Sequence, residues 1–151
     1  LGAGVWQSNN IGGRFSWIQI KGPSVLSVAV TAGAAGDAMT SIGADDFTLD
    51  VMAASTSTPV ATLQNATAPI TKGSCDTVSG SKVIALNSVT SLVVGDTVFG
   101  AGVNQPIVPF SVIVSIDAVA DTVTMDKPAI ASHTNINIIF SRQKIMCDFP
   151  F

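Results

Sequence analysis

The chain of 151 residues contains no glutamate and no tyrosine, and it has one histidine, two cysteines and seven lysine and arginine residues together. Charged residues make up 11% of it, against roughly 25% in an average soluble protein. Each scarcity excludes something. Glu, Lys and Arg ordinarily line the solvated faces of helices, so there is little material here for exposed helix. All ten acidic residues are aspartate, a residue favoured in turns because its short side chain bonds the nearby backbone. His133 alone cannot assemble a histidine-based metal site, and Cys75 and Cys147 form no C-x-x-C pair. The two thiols read as reduced and buried, with pairing left open. With a net charge of −3 and no basic stripe to neutralise phosphates, nucleic-acid binding is not expected. The strongest apolar runs, Val25–Val30 and Ile136–Phe140, are far shorter than the roughly 20 residues of a spanning helix. No membrane partner is expected, and no lysine-flanked apolar start resembles a secretory leader.

What is present is 47% apolar, dominated by Val, Ile and Ala, with Thr, Ser and Gly around them. That composition favours strands and tight turns. It also leaves apolar residues on the surface, a usual mark of contact with partners. The length suffices for one ordinary domain or two small ones.

Periodicity places strands at 14–22 and 24–30, separated by Gly22-Pro23 and expected to pair as a hairpin. Residues 31–46 read as a small, glycine-punctuated surface loop. In 47–51, Phe47, Leu49 and Val51 alternate with Thr48 and Asp50. The Ala/Thr/Ser-rich 52–70 holds one or two short strands. A different texture follows. Strands are expected at 82–86, on both sides of a Gly95-Asp96 turn within 91–103, at 111–117 with Val112, Val114 and Ile116 on one face, at 121–126 and at 136–140. A last strand closes the chain at 144–151. Segments at roughly ten-residue spacing with turn residues between them argue for a small barrel or sandwich. Gly73 and the polar 141–143 bracket the middle block, which reads as an insertion, since domain termini often lie close together. The expected fold is all-β: a small β-barrel or sandwich base domain of 1–71 plus 144–151, with a second small β domain inserted at 72–143.

Signals for chemistry are weak. Asp45, Asp46 and Asp50 lack the spacing of a calcium loop and read as a solvated turn. Asp117, Asp121 and Asp126 flank a hairpin and read as turn chemistry. Asn65-Ala66-Thr67 is a glycosylation sequon, without meaning in a bacterial host. The Gly-Ala-Gly pieces at 2–4 and 100–102 lack the third glycine of a dinucleotide loop. His133 sits in a loop-like stretch with no nucleophile motif around it. No catalytic residue, cofactor site or metal site is assigned, and the chain does not read as an enzyme. Trp6, Phe15 and Trp17 read as core or interface anchors rather than sugar stackers. Phe149 and Phe151, about 2 kcal/mol each to leave in water, are expected to pack into a core or against a neighbouring subunit.

Gly13, Arg14, Trp17, Gln19, Lys21 and Gly22, followed by Gly33-Ala34-Ala35-Gly36 and the closing Ile145 to Phe151, resemble the pattern of small head decoration (cement) proteins of tailed bacteriophages. The resemblance covers 12–51 and 144–151, about a third of the chain. The stretch Gly95, Asp96, Val98, Gly100, Gly102, Val103 resembles a generic small β unit of phage and surface proteins. These resemblances imply a virion protein on the outer capsid surface that binds the assembled major-capsid lattice and stabilises the head. The implied partners are the major capsid protein and further copies of the chain, with a homotrimer favoured. The arm at 1–13 and the loop at 31–46 are then the contact segments, with Trp6, Asn10, Arg14, Trp17, Ala34, Ala35, Phe149 and Phe151 as candidate contacts. The inserted module would face outward. The rival reading is a phage tail, fibre or surface module that binds glycans. It wants an exposed aromatic cluster in the middle block, which offers Phe99 and Phe110 and no Trp or Tyr.

Overall fold

A computed structural model describes residues 5–6, 18–30, 32–41, 49–51, 59–100 and 106–148. The protein is all-β: every regular element among the described residues is a strand. The chain divides into two compact units, residues 1–68 with 142–151, and residues 69–141. The sequence placed the joints at 71/72 and 143/144. The difference has a plain cause: the strand Ile70–Thr77 belongs wholly to the second unit, whereas Gln143 bonds within the first.

In the first unit, β1 (Val5–Trp6) pairs with β2 (Ile18–Gln19). A five-stranded sheet is built from β3 (Lys21–Val25), β4 (Ala38–Ser41), β5 (Leu49–Val51), β6 (Ala61–Asn65) and β13 (Lys144–Asp148), in the order β3-β13-β6-β4-β5. The expected hairpin between 14–22 and 24–30 is not formed. Instead β3 runs through Gly22-Pro23 and pairs antiparallel with β13, Pro23 opposite Met146. A proline lacks the ladder donor, and β3 tolerates it because it is an edge strand. Residues 26–30 leave the sheet: the Leu26 N–H donates to the Gln143 carbonyl and the Val30 N–H to Gln143 Oε1. Part of the expected loop at 31–46 is β4, whose Met39 is fully buried. Its core is Met39, Val60, Ala61, Leu63, Ile145 and Cys147, with Leu26, Val30 and Leu49 packed against it. Burying a side chain such as Met39 or Leu63 stabilises by about 1.5–3 kcal/mol. The expected inward places of Phe47 and Val51 lie outside the described side chains.

The second unit is a closed barrel. Its strands are β7 (Ile70–Thr77), β8 (Val83–Ala85), β9 (Thr97–Gly100), β10 (Ser111–Asp117), β11 (Thr122–Met125) and β12 (His133–Ser141), in the ring order β10-β11-β8-β7-β12-β9. β9 closes the ring by pairing with β12 on one side and β10 on the other. Closure leaves no strand edge open to association. The chain enters along β7 and leaves along β12, and these two are paired, Ile70 opposite Phe140. Entry and exit side by side are what an inserted domain needs.

Every barrel strand contributes to one core: Cys75, Ile84, Val98, Ile113, Val123, Met125, Ile138 and Phe140, closed off by Leu86, Val89, Leu92, Ile107 and Ala129. Two expectations change. Residues 91–94 are a turn rather than a strand, with Leu92 buried and Val93 and Val94 exposed. On β10 the face read from alternation is not the buried one. Ile113 is buried and Val114 exposed, while Ile116 packs against the core. A bulge explains it. Ile113 faces Met125 but Ser115 faces Thr124, so Val114 is an extra residue and the inward phase shifts by one.

Candidate interaction surface

Ten aspartates are the main chemical material of this chain. Six of those with described side chains accept hydrogen bonds from backbone N–H groups. Asp37 Oδ2 takes Ala34 N at 2.7 Å, Asp76 Oδ1 takes Asn135 N at 2.8 Å and Asp96 Oδ2 takes Val93 N at 2.9 Å. Asp121 Oδ1 takes Val89 N at 3.4 Å and Asp126 Oδ1 takes Val112 N at 2.8 Å. Asp117 Oδ1 takes both Val119 N at 2.9 Å and Ala120 N at 3.0 Å. Asp148 faces Lys21 at 3.9 Å, both side chains in water. The carboxylates of Asp37, Asp96 and Asp117 close turns two or three residues away, and glutamate, one methylene longer, suits such short-range closures less well. Asp76, Asp121 and Asp126 instead tie together segments 59, 32 and 14 residues apart, so these six carboxylates fix backbone, some within turns and some between segments.

The backbone donors from Ala120 and Val119 hold the Asp117 carboxyl below the usual aspartate range. No group of three His, Cys or Asp side chains able to hold a metal ion occurs among the described residues. The backbone N–H of His133 donates to Thr77 Oγ1 at 3.2 Å, placing it at the start of β12 rather than in a loop. Cys75 and Cys147 are free and buried, one in each unit's core. Burial pushes both thiols up to about 11. No helix among the described residues is long and apolar enough to cross a membrane.

Of the expected contact residues, Asn10, Arg14, Trp17, Phe149 and Phe151 lie outside the described residues, as does the side chain of Trp6, whose backbone is in β1. Ala34 and Ala35 are exposed. They occupy a turn closed by Asp37 N to Ala34 O at 3.1 Å and anchored to β6 by Gly36 N to Leu63 O at 2.7 Å. This turn is a small-residue projection tied to β6 through both Gly36 and Asp37.

The surface feature that periodicity did not reveal is on the barrel. Val78, Val83, Val93, Val94, Phe110, Val114, Val119 and Ile130 are all exposed. Phe110 is 55% exposed and Val119 98%. Phe99, the other aromatic considered for stacking, is half-buried. Val83 faces Thr124 across β8 and β11, and Thr124 faces Ser115 across β11 and β10, so part of the outer wall is uncharged from strand to strand.

Comparison of the chain with protein-family models, with curated proteins and with solved structures finds no match.

Proposed function

We propose that this chain is a structural virion protein: a capsid decoration protein that binds the assembled major-capsid lattice of a tailed phage and reinforces the head. The observation that carries the reading is the scarcity of charge, 11% of the chain, together with the exposed apolar side chains of Val28 and Met146 on the base unit, a surface suited to being covered by protein. Two further features support it. The pattern from Gly13 to Gly36 resembles cement proteins. Six of the described aspartates hold backbone N–H groups in place, which suits a mechanical role.

In this account the base unit contacts the shell through the Ala34–Gly36 projection and the arm at 1–13, while the inserted barrel faces outward. A stable contact buries about 1,600 Å². Repeated over a shell, many such contacts resist internal pressure through multivalency. The test is to heat filled heads lacking and carrying the protein and follow DNA release. Release at a higher temperature from decorated heads supports the proposal; identical release curves on heads shown to carry the protein contradict reinforcement.

A further inference from the structure

Five tight turns share one shape. Each is closed by a backbone bond from residue i+3 to residue i: Asp37 to Ala34, Ser81 to Val78, Leu92 to Val89, Asp96 to Val93 and Ser111 to Val108. In each the third residue alone has positive φ: Gly36 at 101°, Gly80 at 81°, Ser91 at 70°, Gly95 at 95° and Phe110 at 60°. This is the type II arrangement, whose third position calls for glycine. Three turns have glycine and one has the small serine. The last has phenylalanine, a bulky side chain in a region that bulky residues avoid. Pro109 before it and the Ser111 hydroxyl bonded to Val108 O at 2.6 Å hold the turn. Lys127 holds it too, its Nζ donating to Pro109 O at 2.9 Å and Phe110 O at 3.0 Å. The same ammonium lies 5.9 Å from the ring centroid, within cation–π range. Backbone strain that displays a half-exposed ring points toward a use for the ring.

Phe110 stands immediately before β10, and a second projecting apolar residue stands just beyond its other end. Val119 is 98% exposed, in a turn fixed by the Asp117 carboxylate. One end of the strand therefore offers an aromatic ring beside an ammonium, and the other an aliphatic side chain beside a carboxylate. Lys127 uses two of its three protons on the turn carbonyls, and Asp117 uses one of its two oxygens on the backbone. Both charges retain capacity. Asp126, beside Lys127, has its Oδ1 turned to the Val112 N–H. Seven residues of strand set the two tips roughly 20 Å apart, so one barrel cannot bring its own tips together.

We propose that copies of this chain associate head to tail, the Phe110–Lys127 turn of one against the Asp117–Val119 turn of the next. The contact is heterologous, closing into a ring or running on as a filament according to the rotation between copies. It does not depend on the shell-binding proposal, and neither stands or falls with the other.

The test is sedimentation velocity of the full chain over a concentration series at low salt. Wild type is expected to show a sedimentation coefficient rising with concentration. Phe110→Gly is expected to weaken association at least about thirtyfold, as for an interface anchor, while raising the melting temperature because glycine relieves the positive φ. A merely structural phenylalanine would not give that pair of effects. Val119→Ser, in water at the other tip, should weaken association with the melting temperature unchanged. Lys127→Asp and Asp117→Lys should each weaken it about fivefold. Mixing those two variants should restore it in part, because every tip then meets its opposite charge while each variant still lacks the turn bonds of its replaced side chain. Three results overturn the proposal: a wild-type chain that stays monomeric, association indifferent to Phe110→Gly, or association indifferent to Val119→Ser. A monomer that needs Phe110 to sediment with capsid shells would assign the ring to the shell instead, and would equally overturn it.

Discussion

Ser74 on β7 and Asn135 on the neighbouring β12 carry the same left-handed backbone, φ 53° and 56°, and each is one residue too many for its strand. Between His133 and Ile136 β12 advances three residues while β7 advances two, from Thr77 to Cys75. Between Ile136 and Ile138 the imbalance reverses, β7 passing from Cys75 to Lys72. The two insertions cancel, so Ile138 to Phe140 face Lys72 to Ile70 in the register that His133 and Thr77 began. Each bulge also moves its strand's inward face by one residue, so that Cys75 and Thr77 point in where β7 would otherwise offer Ser74 and Asp76. The Asp76 carboxylate, left outside, caps Asn135 N.

Ser74→Val and Asn135→Val therefore set strand propensity against backbone geometry. Propensity favours valine in a strand; a left-handed backbone disfavours a β-branched residue more strongly. Each substitution is expected to destabilise by about 1–2 kcal/mol, read as a lower urea midpoint with an unchanged slope. A stabilised variant would mean that the positive φ is not maintained.

Gln143 is almost completely buried and joins three segments, with Oε1 accepting from Val30 N at 3.1 Å and Nε2 donating to Ala66 O at 3.4 Å. Gln143→Leu has a similar size but satisfies neither partner. It should lower stability by about 1–3 kcal/mol, measured by chemical denaturation, with the greater part of the loss traced by hydrogen exchange to the Val30 amide.

Both thiols are buried with pKa pushed up to about 11. The native protein should react with iodoacetamide far more slowly than a free thiol at the same pH, and both cysteines should label on unfolding. A raised folded pKa favours the neutral thiol. Its stabilising contribution is full below the ordinary value of 9.0 and fades as pH rises from there toward about 11. The pH slope of the urea midpoint in that window should shrink in a Cys75→Ala, Cys147→Ala double variant.

Asp117 works in the opposite direction. Its folded pKa is lowered by the Ala120 and Val119 donors. The contribution of that turn is present above the unfolded aspartate pKa and is lost as pH falls through the lower folded one. Asp117→Asn should remove this part of the acid dependence, seen as a flatter plot of melting temperature against pH below the ordinary carboxylate range.

Much of the fold is legible in the chain. The alternation of Val123 with Met125, and of Ile138 with Phe140, marks strands that are buried on those faces. The change of texture near residue 70 marks the insertion. The missed features share one physical origin, in that pairing partners far away in sequence decide them. Ala38–Ser41 is a strand because Val60 N donates to Met39 O and Ala61 sits opposite Met39, though its own residues read as a loop. Gly22-Pro23 reads as a break and is an edge strand because β13 supplies the partner. Bulges at Val114, Ser74 and Asn135 leave no mark in a period-2 pattern except to spoil it. The candidate surface is less legible still. Phe110 is one phenylalanine among seven; its exposure follows from a turn whose third position would ordinarily be glycine.

The central claim is that the protein binds an assembled shell. The most direct measurement is co-sedimentation of the purified chain with undecorated tailed-phage heads and, separately, with free capsid subunits. Saturable binding to shells with none to subunits is the expected result. Absence of binding to shells, or equal binding to free subunits, would contradict the account.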